Sequence, residues 1–473
     1  MNSNWSENFI NYVFNSKLTI YIVLIISGII VIPNIDRESL YLDEIFTATA
    51  CFKTSTIKMM FYQYISIDGN PPLHYVLLFY WGRIFGSGDF QIRLLSYVIS
   101  VIGFMFSYLL LKKYFTRRRA IMFLFLSVFT PGVLYYAQEA RTYALLYTLS
   151  SLVSILYLIF IERIENNQKI EKKLIIYYLF IGVFSCYTHH FGSLLIFSIA
   201  SVIIIYSLLL KRYTIAKKIF IVSLITGLIG IIWILFQLYY VNMGNHINEI
   251  SWCRTNLIGL LFNFSTLLAV NKFGVLILVL LLSPLLINLS SFIKLTKKNS
   301  FILFPVFLLL FCTYFISLKI FEISERYLIV IIPLLLLFIS SIFNELFENK
   351  KQYILIYLIA LLVITTYKNY TYKKQNWRDA CSFIKKIPNI KNSKVPIQSL
   401  SDGSFDKMMF VSYYLGNKYN YLHSGPLVQN NCDLIYIDGH TNEKGITETL
   451  AKYKIPMPYK IINFNKVFVV IKN

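Results

Sequence analysis

The sequence predicts a polytopic α-helical membrane protein that ends in a small α/β domain. Apolar residues make up 57% of the 473 residues and aromatic residues 17%, and the mean hydropathy is +0.61. These values exclude an ordinary soluble enzyme. Apolar runs of about 20 residues recur along the chain, and each could cross a bilayer as a helix. The composition becomes polar and lysine-rich only from residue 368 onward.

Eleven apolar runs of this kind predict eleven membrane-spanning helices. In chain order they cover residues 18–34, 92–111, 120–137, 143–161, 174–189, 191–210, 219–241, 273–293, 301–318, 327–343 and 352–367. The first run lacks a small-residue cleavage site, which favours a retained span over a cleaved signal peptide. Residues 1–367 are therefore predicted to form one transmembrane domain.

The formal charge of +22 is explained by membrane topology. The basic residues form short clusters between apolar runs, at residues 112–119, 163–173, 211–218, 294–298 and 350–351. These clusters fall in alternate loops, which the positive-inside rule assigns to the cytoplasm. No nucleic-acid recognition motif accompanies the charge, so no nucleic-acid partner is predicted. The opposite loops are predicted to lie on the extracytoplasmic side.

Two further apolar segments, residues 72–85 and 256–270, would break this alternation if they crossed the membrane. They are predicted to be juxtamembrane helices that lie along the outer surface. The first is short and carries Tyr80 and Trp81 beside Arg83, a composition that suits an interfacial helix.

Residues 368–473 are predicted to form a separate α/β domain. Helical patterns occur at residues 377–386 and 443–453, and short strand-like runs occur at 434–437 and 467–471. A segment of about 105 residues is large enough to hold its own core. The parity of the spans places this domain on the extracytoplasmic side.

Two adjacent carboxylates, Asp43 and Glu44, follow the first span, and Asp68 lies in the same outer loop, residues 35–91. Ionisable groups at a membrane surface are costly and often functional. A carboxylate at the edge of a low-dielectric cavity can accept a proton from a hydroxyl nucleophile, and a second can position that nucleophile or hold a divalent ion. The alternative is that these acids only cap helices in a solvated loop.

Several short motifs along the chain resemble the bacterial glycosyltransferase family 39. These proteins are C-type (GT-C) membrane glycosyltransferases related to protein O-mannosyltransferases and to the aminoarabinose transferases of lipid A. The motifs are Tyr41-Leu42-Asp43-Glu44, Asp68-x-Asn70-Pro71-Pro72-Leu73, Phe85-Gly86-x-Gly88-x-x-x-x-Arg93, Tyr136-x-Gln138-Glu139-Ala140-Arg141-x-Tyr143, Thr188-His189-x-Phe191, Glu325-Arg326-Tyr327 and Asn376-Trp377-Arg378-Asp379.

The resemblance implies an inverting enzyme of the bacterial cell membrane. It would take a sugar from a polyprenyl-phosphate donor and pass it to a cell-surface glycan, a lipid or a lipid-linked glycan at the outer face. Asp43 matches the catalytic acid of the family and would deprotonate the acceptor hydroxyl. Glu44 would shape contacts to the sugar or the acceptor, and Asp68 matches the second acid, which binds the acceptor or a metal.

One departure from the family concerns the metal. Many relatives have a histidine before the double proline, where this chain has Asn70. Asparagine is a weaker metal ligand than histidine. No cofactor is therefore predicted with certainty, and a divalent cation held by Asp43 and Asp68 stays open.

The departing phosphate of such a reaction needs positive charge. Arg93, Arg141 and Arg326 all fall at outer ends of predicted spans, where a guanidinium can form paired hydrogen bonds with phosphate oxygens. Each could instead be a snorkelling interfacial arginine or an ion-pair partner of Glu139 or Glu325. The remaining candidates for substrate contact are Glu139, His189 and His190, and ordinary interfacial histidines are the alternative for the last two.

The main rival from another functional class is a lipid-linked-sugar transporter or flippase. Such a protein would also have many spans and outer arginines. Transporters usually place charge near mid-membrane and often show paired halves, whereas the acids here cluster at one surface in a loop without a symmetric counterpart. The enzyme is therefore favoured, with grooves among the apolar helices holding the isoprenoid tail of the donor alongside membrane lipids.

Overall fold

The computed structural model confirms the predicted fold class, a bundle of apolar helices with a small α/β domain at its C-terminal end. It describes residues 12–14, 16–66, 68, 70–243, 294–296, 298–317, 324–346, 351–371, 375–387, 396–398, 405–416, 420–422, 435–439, 443–452 and 459–472. The predicted span 273–293 and the predicted juxtamembrane helix 256–270 lie outside the described residues.

The α-helices that the structure describes in the membrane part are numbered α1 to α14 in chain order, and a π-helical turn at Phe61–Ile65 follows α3. They are α1 (Thr19–Val31), α2 (Leu42–Phe52), α3 (Ile57–Met60), α4 (Leu73–Phe85), α5 (Asp89–Tyr114), α6 (Arg117–Phe129), α7 (Pro131–Tyr136), α8 (Tyr143–Glu165), α9 (Lys172–Cys186), α10 (His190–Leu209), α11 (Tyr213–Met243), α12 (Phe304–Ser317), α13 (Ile332–Leu346) and α14 (Lys351–Thr371). Short 3₁₀ segments at Ile32–Asn34, Ser300–Leu303 and Glu325–Ile331 extend α1, α12 and α13 at one end.

Within the described residues, five helices are long and apolar enough to cross a membrane. They are Asp89–Tyr114, Tyr143–Glu165, His190–Leu209, Tyr213–Tyr240 and Arg326–Phe343. Each coincides with a predicted span. Shorter apolar helices at Thr19–Asn34 and Ser300–Ile316 coincide with two more, and α14 covers the predicted span 352–367.

The predicted span 120–137 is not one continuous helix, which corrects the sequence-based prediction. α6 ends at Phe129 and α7 begins at Pro131, and Thr130 between them has an extended backbone with ψ 118°. Proline lacks the N–H that would continue the helical hydrogen bonding, so the chain can turn at this point. The short α7 then leads directly to the loop that carries Glu139 and Arg141.

Among the described residues there are two large hydrophobic cores and a small third one, formed by Ile446, Leu450, Phe468 and Val470 in the C-terminal domain. The largest one lies among the membrane helices, where α8 is enclosed by α5, α9 and other helices. The second core joins helices α2 and α4 to the C-terminal domain, because Ile45 and Leu78 belong to the same buried cluster as Trp377 and Phe410. The rings of Trp377 and Phe410 stack with centroids 4.7 Å apart and an interplanar angle of 11°. The C-terminal domain therefore packs against α2 and α4.

The C-terminal domain contains a five-stranded mixed sheet. Its described elements are α15 (Trp377–Lys386), β1 (Pro396–Gln398), α16 (Phe405–Leu415), β2 (Asn420–Leu422), β3 (Ile435–Gly439), α17 (Glu443–Lys452), β4 (Tyr459–Phe464) and β5 (Val467–Lys472). The strand order is β2-β1-β3-β5-β4. β1 pairs in parallel with β2 and β3, and β5 pairs in antiparallel fashion with β3 and β4.

The predicted elements of this domain are present as α15, α17, β3 and β5, whereas β1, β2, β4 and α16 were not predicted. β4 and β5 form a hairpin whose two turn residues, Asn465 and Lys466, have φ of 45° and 70°. Two successive left-handed residues match the turn that suits the twist of a hairpin. Asn-Lys is a weaker sequence signal for this turn than Asn-Gly, so the hairpin is hard to recognise from sequence.

Close contact between α5 and α8 makes Gly103 a sensitive position. A Cβ atom at Gly103 would lie 2.4 Å from Thr148 Oγ1 and 2.9 Å from Thr148 Cβ. We expect Gly103→Ala to destabilise the protein by about 1–3 kcal/mol, because the two helices must separate. The measurement is the thermal unfolding midpoint in detergent. Gly227→Ala is the control, since a Cβ there meets nothing within 4 Å; equal midpoints for both variants would contradict the tight packing.

Candidate active site

The two adjacent carboxylates, Asp43 and Glu44, occupy different environments. Asp43 and Glu44 lie in the first turn of α2, where successive side chains point about 100° apart around the helix axis. The Asp43 side chain is 30% exposed, whereas the Glu44 side chain is 1% exposed. The fold therefore gives one carboxylate access to ligands and buries the other.

Glu44 is held by hydrogen bonds from several parts of the protein. Arg93 of α5 bonds both of its oxygens, with Nε to Oε1 at 2.7 Å and Nη2 to Oε2 at 2.7 Å. The backbone N–H of Ala140 donates to Oε1 at 2.9 Å, and that of Tyr41 donates to Oε2 at 2.9 Å. The last bond closes the N-terminal turn of α2. These contacts tie α2 to α5 and to the loop after α7.

The N–H donors of the Arg93 guanidinium all form hydrogen bonds within the protein. Besides the two bonds to Glu44, its remaining donors bond the backbone carbonyls of Ile35 at 3.1 Å, Glu38 at 2.7 Å and Ser39 at 3.0 Å. An arginine has five N–H donors, and all five are occupied here. In this arrangement Arg93 and Glu44 brace the start of α2, and Arg93 has no donor left for a phosphate.

Asp43 lies between two guanidinium groups. Its carboxylate forms an ion pair and hydrogen bond with Arg326 Nη1, and Arg141 Nη1 donates to its backbone carbonyl at 3.2 Å. Burial opposes ionisation of Asp43, but the nearby charges of Arg141 and Arg326 outweigh it and lower the pKa of Asp43 below its ordinary value. The carboxylate is therefore ionised, as a proton acceptor must be.

Arg141 is buried at the centre of this polar cluster. Its Nη1 donates to Thr47 Oγ1 at 2.7 Å and contacts the Tyr75 hydroxyl at 3.3 Å. The side chain is 6% exposed, and its Nε has no hydrogen-bond partner among the residues that the structure describes. Burial disfavours the charge, but Tyr75, Asp68 and Asp43 stabilise it and raise the pKa of Arg141 well above its ordinary value. A permanent positive charge thus lies behind Asp43.

Asp68 joins the same network through Tyr75. Its Oδ2 accepts hydrogen bonds from the Tyr75 hydroxyl and from Asn70 Nδ2, the latter at 3.2 Å. Its backbone carbonyl accepts from Gln237 Nε2 of α11 at 2.8 Å. Asp43 and Asp68 are therefore both linked to Arg141, one directly and one through a tyrosine.

The double-proline motif also places His74 and Tyr75 inside the protein. Both residues belong to α4 and are 2% exposed. Burial and the charge of Arg141 lower the pKa of His74 to about 3, so its ring is neutral. The helix predicted at residues 72–85 is present as α4. One face of it is buried, and its exposed residues include Tyr80, Ile84 and Phe85.

His189 lies beside Arg326 at the beginning of α10. Its Nδ1 accepts from the backbone N–H of Phe191 at 3.1 Å, which assigns the ring proton to Nε2. The ring is packed against Tyr327, with centroids 4.9 Å apart. Because Nδ1 is an acceptor, the ring is neutral and is a hydrogen-bond donor through Nε2.

The other two predicted contacts are nearby. Glu139 is 8% exposed; its backbone carbonyl accepts from Ser96 Oγ at 2.6 Å and from the Arg141 N–H at 2.7 Å. His190 is the first residue of α10, and its ring centroid lies 6.5 Å from that of His189. Both residues therefore border the cluster of Asp43, Arg141 and Arg326.

The donor set does not fit a divalent cation. Asp43 is paired with Arg326 and Asp68 is hydrogen-bonded to Tyr75, while Arg141 places a positive charge near both. Among the described residues there is no group of three or more His, Cys, Asp and Glu side chains that could hold a metal ion.

Two hydroxyl groups without a predicted role complete the cluster, those of Thr47 and Tyr75. Both contact Arg141. Thr47 lies four residues after Asp43, a spacing that puts the two on one face of a helix, so the signal for Thr47 was available in the sequence. Tyr75 had no such signal, because its contact depends on how α4 packs against α2.

Comparison with known proteins places this site in a known fold. Residues 69–240 match the family described as "Dolichyl-phosphate-mannose-protein mannosyltransferase". The chain superposes on ArnT from Cupriavidus metallidurans in the apo state with a TM-score of 0.61 and 10% identity, covering 95% of this chain and 97% of that chain. The chain has the GT-C fold. The predicted resemblance to protein-mannosyltransferase-like and aminoarabinose-transferase-like proteins is thereby confirmed.

Two further GT-C structures are similar to this chain. ArnT bound to undecaprenyl phosphate gives a TM-score of 0.61 and 10% identity, covering 96% of this chain and 98% of that chain. The Archaeoglobus fulgidus oligosaccharyltransferase tethered to an acceptor peptide gives a TM-score of 0.50 and 11% identity, covering 98% of this chain and 75% of that chain. No curated protein matches the sequence.

Proposed function

We propose that this GT-C protein is an inverting glycosyltransferase that moves a sugar from a polyprenyl-phosphate donor to an acceptor hydroxyl. The observation that carries the proposal is the ionised, part-exposed carboxylate of Asp43, held between the guanidinium groups of Arg141 and Arg326. A base beside fixed positive charge is what the attack of a hydroxyl on a sugar phosphate requires. The match of residues 69–240 to a mannosyltransferase family supports the same reaction class.

In this mechanism Asp43 accepts the proton of the acceptor hydroxyl as that oxygen attacks the anomeric carbon. The new bond forms between the acceptor oxygen and C1, and the bond between C1 and the phosphate oxygen breaks with its electron pair going to the phosphate. Arg326 and the Nε2–H of His189 stabilise the departing polyprenyl phosphate. Arg141, buried behind Asp43, keeps the carboxylate ionised before the acceptor arrives and adds to the positive field.

The remaining substrate contacts follow from the same arrangement. Asp68 is placed to bind the acceptor, Glu139 and His190 border the sugar site, and the apolar helices hold the isoprenoid tail. We assign Arg93 and Glu44 a positioning role in place of the predicted substrate contact, because their polar atoms bind the protein itself. The acceptor is a cell-surface glycan, a lipid or a lipid-linked glycan.

The proposed location is the bacterial cell membrane, with the active site and the C-terminal domain on the extracytoplasmic side. The alternation of basic loops along the chain supports this orientation. It places Asp43, Asp68, Arg141 and Arg326 at the same membrane face, where a lipid-linked donor would present its sugar. The site and the seated C-terminal domain would then share one compartment.

A mass-spectrometric comparison of envelope glycans and lipids, in cells with and without the protein, tests the proposal. We expect one glycan or lipid species to lose a single sugar residue and to regain it when the gene is restored. An unchanged set of species, or altered lipid-linked sugar distribution without any loss of a glycosidic bond, would instead support a transporter.

Arg326→Gln is expected to change both phosphate binding and the pH dependence of transfer. Loss of a charged hydrogen-bond donor should weaken binding of undecaprenyl phosphate to the purified protein by about 10- to 100-fold, measured by ligand-induced shift of the unfolding midpoint. The pKa of Asp43 is lowered partly by Arg326, so the variant should raise that pKa. Since only the carboxylate accepts a proton, activity should then be lost at a higher pH than in the wild type.

Arg326→Lys is the matched control for this prediction. It keeps the positive charge beside Asp43 but removes the planar fork. We expect the acid limb of its pH–activity profile, that is, the fall in transfer rate at low pH, to stay close to that of the wild type. Binding of undecaprenyl phosphate should still be weakened. Identical acid limbs for the Gln variant and the wild type would contradict the assignment of Asp43 as the base.

A further inference from the structure

The segment of residues 35–41, here called the entry segment, leads from the first span into α2 and ends two residues before Asp43. Its backbone polar groups are held mainly by side chains from elsewhere. From the membrane side, Arg93 bonds the carbonyls of Ile35, Glu38 and Ser39. The entry segment is therefore fixed by tertiary contacts, and the position of Asp43 depends on them.

The C-terminal domain also holds the entry segment through hydrogen bonds. Arg378 donates from Nη1 to the Asp36 carbonyl at 2.7 Å and from Nη2 to the Arg37 carbonyl at 3.2 Å. Ser39 Oγ donates to the Gln375 carbonyl at 2.6 Å and accepts from the Trp377 N–H at 3.2 Å. These bonds join residues more than 330 positions apart in sequence.

Among the described hydrogen bonds between the C-terminal domain and the entry segment, that of Tyr414 of α16 lies nearest in sequence to α2. The Tyr414 hydroxyl accepts the backbone N–H of Leu40 at 2.7 Å and donates to Asp89 Oδ2 at 3.0 Å. Asp89 is the first residue of α5, the helix that carries Arg93 one turn later, and it also pairs with Arg378 at 3.3 Å. The C-terminal domain therefore bonds both the entry segment and α5, the helix whose Arg93 also bonds the entry segment.

The state of the Tyr414 hydroxyl follows from its surroundings. Burial and the neighbouring Asp89 carboxylate raise the pKa of Tyr414 well above its ordinary value, so the phenol keeps its proton. With that proton directed at Asp89, an oxygen lone pair is available for the Leu40 N–H. Leu40 is 1% exposed, so its N–H would be buried without an acceptor if the hydroxyl were removed.

We propose that Tyr414 is a positioning residue through which the C-terminal domain sets the place of Asp43. The domain thereby forms part of the active site without touching substrate. The effect on catalysis rests on the glycosyltransferase function proposed above. The hydrogen bonds that hold the entry segment do not depend on that function. Asp43 must reach Arg326, which lies 283 positions later in the chain, and a shift at the start of α2 would separate the two.

Tyr414→Phe tests this proposal, with Tyr413→Phe as the matched control. Both variants remove one phenolic oxygen from adjacent residues of α16, whose rings are 5.1 Å apart, but only Tyr414 bonds Leu40 and Asp89. The measurement is the rate of amide hydrogen–deuterium exchange in the peptide that covers residues 36–46, for the full-length protein in detergent. We expect exchange there to be about tenfold faster in Tyr414→Phe and unchanged in Tyr413→Phe.

Transfer kinetics provide the second measurement, using the donor and acceptor found by the mass-spectrometric comparison. We expect Tyr414→Phe to lower kcat by about tenfold, to leave the donor KM within about twofold, and to move the acid limb to higher pH as Asp43 separates from Arg326. Binding of undecaprenyl phosphate should be unchanged. A merely structural role would reduce the amount of folded protein without moving the acid limb.

Hydrogen–deuterium exchange and transfer kinetics test different parts of the proposal. Equal exchange at residues 36–46 in Tyr414→Phe and the wild type would show that Tyr414 does not hold the entry segment, whatever the transfer rate is. Faster exchange with an unchanged kcat and acid limb would overturn the positioning role. A wild-type protein that transfers no sugar would overturn the proposed function, while the exchange measurement would still decide whether the domain holds the entry segment.

Discussion

Asp43→Asn is expected to lower the rate of sugar transfer by about 10³-fold, because a positioned general base contributes roughly 10²–10⁴-fold. Asparagine has almost the same shape as aspartate but cannot accept the acceptor proton. The side chain is partly exposed, so the fold should be kept. The measurement is transfer by the purified protein, beside binding of undecaprenyl phosphate and the unfolding midpoint, both of which should remain close to the wild-type values.

Asp36→Asn is the matched control, since it removes a charge from the same entry segment while the backbone carbonyl bonded by Arg378 stays in place. Its transfer rate should equal that of the wild type. Transfer by Asp43→Asn at the control rate would rule out Asp43 as the base. A transporter would keep lipid translocation in both variants, because it needs no proton acceptor at this position.

Glu44→Gln should affect stability far more than it affects chemistry. The Arg93–Glu44 pair is nearly inaccessible to solvent, with side chains 3% and 1% exposed. Removing one partner of a buried ion pair leaves an uncompensated charge and destabilises a protein by about 3–5 kcal/mol. The amide would also direct N–H groups toward the donors of Arg93. We expect a large fall in the unfolding midpoint and in the yield of folded protein.

Glu38→Gln provides the comparison, since Glu38 pairs with Arg37 in a partly exposed position, with side chains 18% and 33% exposed. Solvent screens a partly exposed pair, and exposed pairs contribute only about 0–1 kcal/mol, so the unfolding midpoint should fall much less than in Glu44→Gln. If Glu44→Gln were as stable as Glu38→Gln but bound undecaprenyl phosphate poorly, the positioning role given to Glu44 would be wrong and the sequence-based role in substrate contact would be restored.

These two predictions separate the roles of neighbouring acids that the sequence alone treats alike. Both residues were predicted at the site, as catalytic base and as substrate contact. The helical twist of α2 sends Asp43 toward Arg326 and Glu44 toward Arg93. Which of two adjacent carboxylates reaches the ligand depends on the rotation of α2, and tertiary packing of α2 against α4 and the C-terminal domain sets that rotation.

Much of the membrane architecture could be predicted, because hydrophobic length and periodicity are local properties of the chain. The spans 92–111, 143–161, 191–210, 219–241 and 327–343 coincide with long apolar helices. The break at Pro131 was missed because the surrounding residues are apolar enough to suggest one span. Strands β1, β2 and β4 were missed because short strands gain their stability from sheet neighbours that are distant in sequence.

The sequence by itself determined that the chain is a multi-span helical protein and that Asp43, Arg141 and Arg326 are the residues to examine. It did so because apolar length, basic loops and short motifs need no knowledge of distant contacts. Only the tertiary structure decided that Arg326 pairs with Asp43, that Arg93 is saturated by the protein, and that Tyr414 bonds Leu40. Each of these contacts joins residues that are far apart in the chain, and their geometry is set by helix packing.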